Sequence, residues 1–223
     1  MTINGTVHKT AFLLMLAMMP AMWVWSRFFE TRDPASVMPF ILIGAIGGLV
    51  FAIITIFKRQ WAPFTAPAYA LLEGFFLGGI SATFEARFPG IVIQAVALTF
   101  GTLFFLLFAY RSGLIRATEN FKLGVMAATG GIFFVYLITF VLGMFGVRVG
   151  FIHESGLVGI LFSLFVVVVA ALNLVLDFDF IEKGAEHGAP KFMEWYAAFG
   201  LMVTLVWLYL EILRLLSKLQ SRR

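Results

Sequence analysis

Cysteine is absent from the 223-residue chain. That excludes disulfides, thiolate metal sites and thiol nucleophiles, and leaves the redox compartment unread. Charge is scarce as well. Only 13% of residues are charged and 61% are hydrophobic, against about 25% and about 45–50% in a soluble domain. The histidines are three, His8, His153 and His187; all fall in expected loops and none forms a metal-ligand pair. No Gly-rich phosphate loop with a Lys is present, and no Ser–His–acid set can be assembled. These gaps argue against an enzyme and against a bound cofactor. The net charge of +4 reads as loop Lys and Arg facing anionic lipid, so no nucleic-acid partner is expected. The first apolar run lacks a small-residue cleavage site after it, and reads as a span rather than a leader. Asn4-Gly5-Thr6 is a glycosylation sequon with meaning only in a secretory compartment.

What the chain does have is long apolar runs. They fall roughly at residues 11–28, 38–57, 65–82, 91–110, 123–145, 156–178 and 193–216. A hydrocarbon core takes about 20 apolar residues per helix, so seven spans use most of the chain. The runs are continuous rather than alternating, which selects helices over barrel strands. The expected fold is an all-α membrane protein of about seven transmembrane helices, one polytopic domain over residues 1–223 in a lipid bilayer. Trp23, Trp25, Trp61 and Trp195 lie near span ends, as an interfacial belt requires, and Trp207 lies deeper, as packing. Small residues recur four apart, at Gly44/Gly48, Gly74/Gly78 and Ala127/Gly131. Such spacing lets helix backbones approach closely in lipid.

Lys and Arg placement sets the expected orientation. Lys9, Lys58, Arg59, Arg111, Arg116, Lys122, Lys183 and Lys191 fall on the side of the N-terminus, and Arg27, Arg32, Arg87 and Arg148 on the other. The internal loops favour a cytoplasmic N-terminus. The tail, with Arg214, Lys218, Arg222 and Arg223, evens the count; it argues against a full seventh crossing, or else tolerates the outer face.

Acids inside spans need a reason, because a charge at the bilayer centre costs at least about 2.5–3.5 kcal/mol. Glu73 sits near the centre of the third span. It is either a structural acid bonded to a backbone carbonyl or a proton or cation site. Asp177 ends the sixth span one turn after Asn173, so the two share a helix face. Carboxylates are the hard oxygen ligands calcium takes, which makes Asp177 the candidate calcium ligand, although no EF-hand loop surrounds it. Asp179 points elsewhere and can pair with Lys183 as an interfacial acid. Glu211 stands three residues before Arg214, which suits a local ion pair, and seven after Thr204 on nearly the same face.

Ala171-Leu172-Asn173-Leu174-Val175-Leu176-Asp177-Phe178-Asp179-Phe180-Ile181, the run from Met193 through Gly200, Leu208 through Arg214, and Tyr69 through Gly78 together carry a resemblance. The chain resembles the Bax inhibitor-1 family of transmembrane proteins, specifically its bacterial branch. The resemblance implies six helices around a central last helix, and a calcium leak that responds to pH. It implies a gating pair of aspartates, one ending the sixth helix and one on the seventh, and a basic latch ending the second. By position Asp177 matches the first aspartate, and Lys58 or Arg59 the latch. One register puts Thr204 at the second aspartate; another makes it Glu211. Glu73 or Asp179 is a further possible partner for Asp177. The family also implies a non-conducting alternative, a regulator bound to a membrane-bound ATP-dependent protease or another membrane protein. A bacterial inner-membrane location follows from the same branch. A third reading, a proton-coupled transporter using Glu73, rests on that residue alone.

Overall fold

Leu, Ile, Val, Phe and Ala in unbroken runs form helices here because lipid offers no partner for a bare N–H or C=O, and a helix satisfies both within one segment. The computed structural model describes residues 1–146 and 156–222. The loop residues Arg148 and His153 and the terminal Arg223 lie outside them. The described residues hold seven α-helices and no strand: α1 Ile3–Thr31, α2 Met38–Phe57, α3 Ala62–Arg87, α4 Ile91–Arg111, α5 Glu119–Met144, α6 Leu157–Glu186 and α7 Met193–Gln220. Short polar turns punctuate them. The Thr118 side chain caps α5 by accepting from the Phe121 N–H, and Asp33 caps the single turn at Pro34–Ser36. Gly90, at φ 82°, supplies the left-handed residue before α4.

Six of the helices, all but α3, are long and apolar enough to cross a membrane. The 26 residues of α3 give about 39 Å at 1.5 Å per residue, so its length also suffices. Its hydropathy is lower because its contacts are with protein. Ala62, Ala66, Ala70, Gly74, Gly78 and Ala82 along it are buried. Lipid-facing positions elsewhere carry the opposite signature: Met19 on α1, Ile46 on α2, Phe105 on α4 and Val158 on α6 are 63–67% exposed. Large apolar side chains in such numbers are stable facing hydrocarbon and not water. The molecule is a seven-helix membrane protein.

The chain folds into two compact units, one of residues 1–89 with 180–203, the other of 90–179 with 204–223. In the first, α3 packs on α1 and α2. Two of the expected small-residue pairs make this approach possible. A Cβ on Gly78 would lie 2.5 Å from the Ala21 carbonyl oxygen, one on Gly74 would strike Ala17, and one on Gly44 of α2 would lie 2.6 Å from the Leu72 carbonyl oxygen. The third pair differs: Gly131 has open space around it. Val24, Phe28, Val37 and Ala82 form a core at one end of this unit. The second unit has its own core of Ile132, Val166 and Val169, against which Trp207 packs. Helix α7 runs through both units and is the most buried of the candidate spans.

Candidate ion site

Helix α6 is buried through Leu174 and Val175 and continues to Glu186, so Asp177 lies about 13.5 Å before the helix end at 1.5 Å per residue. One turn earlier the Asn173 amide donates to the Thr129 hydroxyl of α5 at 2.8 Å and to the Val169 carbonyl at 2.8 Å. That bond fixes α6 against α5 and with it the direction of the next residue on the same face. The Asp177 carboxyl is hydrogen-bonded by the Thr204 side chain of α7. Thr204 is itself 9% exposed. The other carboxyl oxygen, Oδ2, is buried and has no hydrogen-bond partner among the described residues. A buried polar atom left unmatched is uncommon, and costs about 1–3 kcal/mol even when uncharged.

Among the described residues, the remaining acids of this unit have partners. Asp179 pairs with Lys122 of α5 at 2.9 Å, and Lys122 also reaches Glu119 at 3.1 Å. Glu211, 2% exposed, takes Arg214 Nη1 at 2.7 Å and the Tyr136 hydroxyl at 3.1 Å. Arg214 also donates to the Tyr136 oxygen at 2.7 Å, closing a three-membered network. Thr204 and Glu211 thus share α7 but not partners. Of the two α7 positions, the structure brings Thr204 to Asp177. Glu211 lies seven residues on, about 10.5 Å along the axis.

Glu73 belongs to the first unit. It is 9% exposed and hydrogen-bonded to the side chain of Tyr69, one turn earlier. It faces α2, since a Cβ on Gly48 would lie 3.1 Å from its Oε2. Its side-chain partner is thus a phenol. The Tyr69 ring meets Phe199 edge-on at 5.0 Å. Lys58 caps α2 and Arg59 follows it, both exposed, with the Arg59 guanidinium 5.2 Å from the Tyr196 ring centre.

The profile of the Bax inhibitor 1 like family matches residues 1–221. The chain belongs to that family. No curated protein and no solved structure matches it.

Two groups of this Bax inhibitor 1 like chain were not found by reading the sequence. Lys218, placed with the basic tail, is instead 5% exposed in α7. Its ammonium donates to the Gly159 carbonyl at 3.0 Å and the Ser163 hydroxyl at 2.8 Å. The signal was present, since Thr204, Glu211 and Lys218 recur every seven residues on one face. Glu194, 3% exposed, accepts from the Thr2 backbone N–H at 3.0 Å and from the Lys9 ammonium. Nothing in local spacing announces that pairing, whose partners are 185 and 192 positions apart. Among the described residues, no three of His, Asp and Glu come together as a metal cluster.

Proposed function

We propose that this Bax inhibitor 1 like protein is a pH-sensitive cation leak whose gate is built around Asp177. The observation that carries this reading is the buried Asp177 Oδ2 without a hydrogen-bond partner among the described residues. An atom in that position is completed by a proton or a passing cation. A ligand that prefers one of two helix arrangements shifts the balance between them. Charged groups of the same unit include Asp179 with Lys122, and Glu211 with Arg214 and Lys218; the first four are tied in the ion pairs described above. Asn173 holds the face on which Asp177 stands. Glu73 with Tyr69 is a second proton or cation station, and Lys58 or Arg59 supplies the latch. Calcium is the first ion to assay, on the family resemblance. Purified protein in liposomes loaded with a calcium or a sodium indicator, taken through a pH series, tests the proposal. Flux that changes with pH, and a flattened pH response in Asp177→Asn, are expected. Absence of flux at every pH, or an unaltered response in the variant, overturns it.

The orientation proposed is an N-terminus on the cytoplasmic side of a cell membrane, the inner membrane if the source is bacterial. Supporting it, Arg214 and Lys218 are bonded within α7 and its neighbours rather than free in a tail. The basic count then stands at eight on the N-terminal side against six on the other.

A second reading has its own observation. In the second unit Ala97, Gly101, Thr102 and Phe105 of α4 and Ala171 of α6 line an open, mostly apolar groove. Small residues at a lipid-facing groove admit a partner helix, as a regulator of a membrane-bound ATP-dependent protease or another membrane protein requires. Co-purification in mild detergent separates the readings: a Gly101→Leu chain that loses a partner but keeps flux assigns the groove to binding alone.

A further inference from the structure

We infer that Thr204 sets the charge class of the ion accepted at Asp177: a proton or a singly charged cation, and not calcium. This rests on the proposed leak and names the ion that the same site takes.

The argument is an inventory of oxygens and charges. The site holds the two Asp177 oxygens and the Thr204 hydroxyl bonded to that carboxyl. The Asn173 amide oxygen, one turn away, brings the donors to four at most. Backbone carbonyls add none, because Asp177 and Thr204 both lie inside uninterrupted helices whose carbonyls already accept. Calcium takes 6–8 oxygens, several of them from carboxylates. The neighbouring acids do not make up the difference. The Asp179 charge is balanced by Lys122 at 2.9 Å. The Glu211 charge is balanced by Arg214 at 2.7 Å, about two turns further along α7. The formal charge facing an ion is therefore one carboxylate. It neutralises one positive charge and leaves a divalent ion with a residual charge inside an apolar span, which is costly. A second acid at position 204 would double the charge and raise the oxygen count. Thr204 is the residue that withholds both. It is close in size to Asp and Asn, so the position can be exchanged without refilling a cavity.

The chain has only three aspartates, Asp33, Asp177 and Asp179. Carbon-13 labelling of aspartate in the full-length protein, reconstituted in bilayers, therefore yields an infrared carboxyl signal in which Asp177 is identified by its loss in Asp177→Asn. In the wild type that band is expected to respond to pH and to stay in place on adding calcium at ~1 mM, a level that loads even weak calcium modules. In Thr204→Asp a calcium-dependent shift should appear, and the calcium-to-sodium flux ratio should rise by about tenfold, the equivalent of 1.4 kcal/mol. Thr204→Asn, which adds no charge, should behave as the wild type. Sodium and potassium added at fixed pH tell a metal cation from a proton, since only the former shifts the band without a change in pH. A calcium-dependent shift of the Asp177 band in the wild type overturns the inference, whether or not Thr204→Asp folds. Absence of flux for every cation, with the band still insensitive to calcium, overturns the leak and leaves the charge class of the site standing.

Discussion

Arg214 and Tyr136 close around the Glu211 carboxylate, and each of the three makes the burial of the others tolerable. Removing the acid leaves the guanidinium facing Tyr136 without its counter-charge. Because Arg214 is 38% exposed, water screens part of that loss. Glu211→Gln should therefore lower stability by about 1–3 kcal/mol, read as a fall in the unfolding midpoint in detergent, and leave the Asp177 infrared band unmoved. A shifted Asp177 band would show that the two acids act as one site. Glu194 is buried as well, with Thr2 and Lys9 as its partners. Glu194→Gln keeps the shape but loses the charge that holds Lys9, and a fall of about 1.5–3 kcal/mol is expected. An unchanged midpoint would make that contact ornamental. Asp177 differs from both in lacking a partner for one oxygen, and for that reason its replacement by Asn should alter function more than stability.

Identical spacings of small residues along the helices lead to different outcomes. Gly78 of α3 lies against the backbone of α1, and an added Cβ would meet the Ala21 carbonyl oxygen at 2.5 Å. Backbone cannot yield as a flexible side chain would, so Gly78→Val should separate the two helices and cost about 1–3 kcal/mol or more. Gly131 of α5 has nothing within 4 Å. There Gly131→Ala removes only the entropy cost of glycine in a helix, and should raise stability by about 1 kcal/mol. Parallel thermal unfolding of the two variants checks both; equal effects would mean the packing distinction has no energetic weight. The four-residue spacing was legible in the sequence for both. Which face of each helix meets a neighbour was not, because periodicity marks a smooth face without saying what lies against it.

For the molecule as a whole, the topology turns on α3. Helix α3 is the one whose composition falls below that of an ordinary span, and it decides whether the crossings number six or seven. The absence of cysteine makes the experiment clean. Single cysteines at Gln60 and Arg87, which flank or end α3, should react with an impermeant thiol reagent from opposite sides of the membrane. Labelling from one side would remove α3 from the spans. Cysteines at Lys191 and Ser221, at the two ends of α7, should likewise label from opposite sides. The sequence made this last crossing doubtful because Arg214 and Lys218 counted as tail charges. Their bonds to Glu211, Gly159 and Ser163 explain how such residues lie within a helix.

Composition by itself determined that the chain is helical, polytopic and bound to lipid, because the solvent imposes that outcome on any sequence with such runs. It also singled out Glu73, Asp177 and Glu211, since acids in apolar runs are visible one at a time. The tertiary structure decided what each acid touches. It brought Thr204 rather than Glu211 to Asp177, gave Glu211 a partner 75 residues away in Tyr136, and gave Asp179 the Lys122 ammonium. Hydrogen bonds and ion pairs act over a few ångströms between residues remote in the chain, and no local period encodes them.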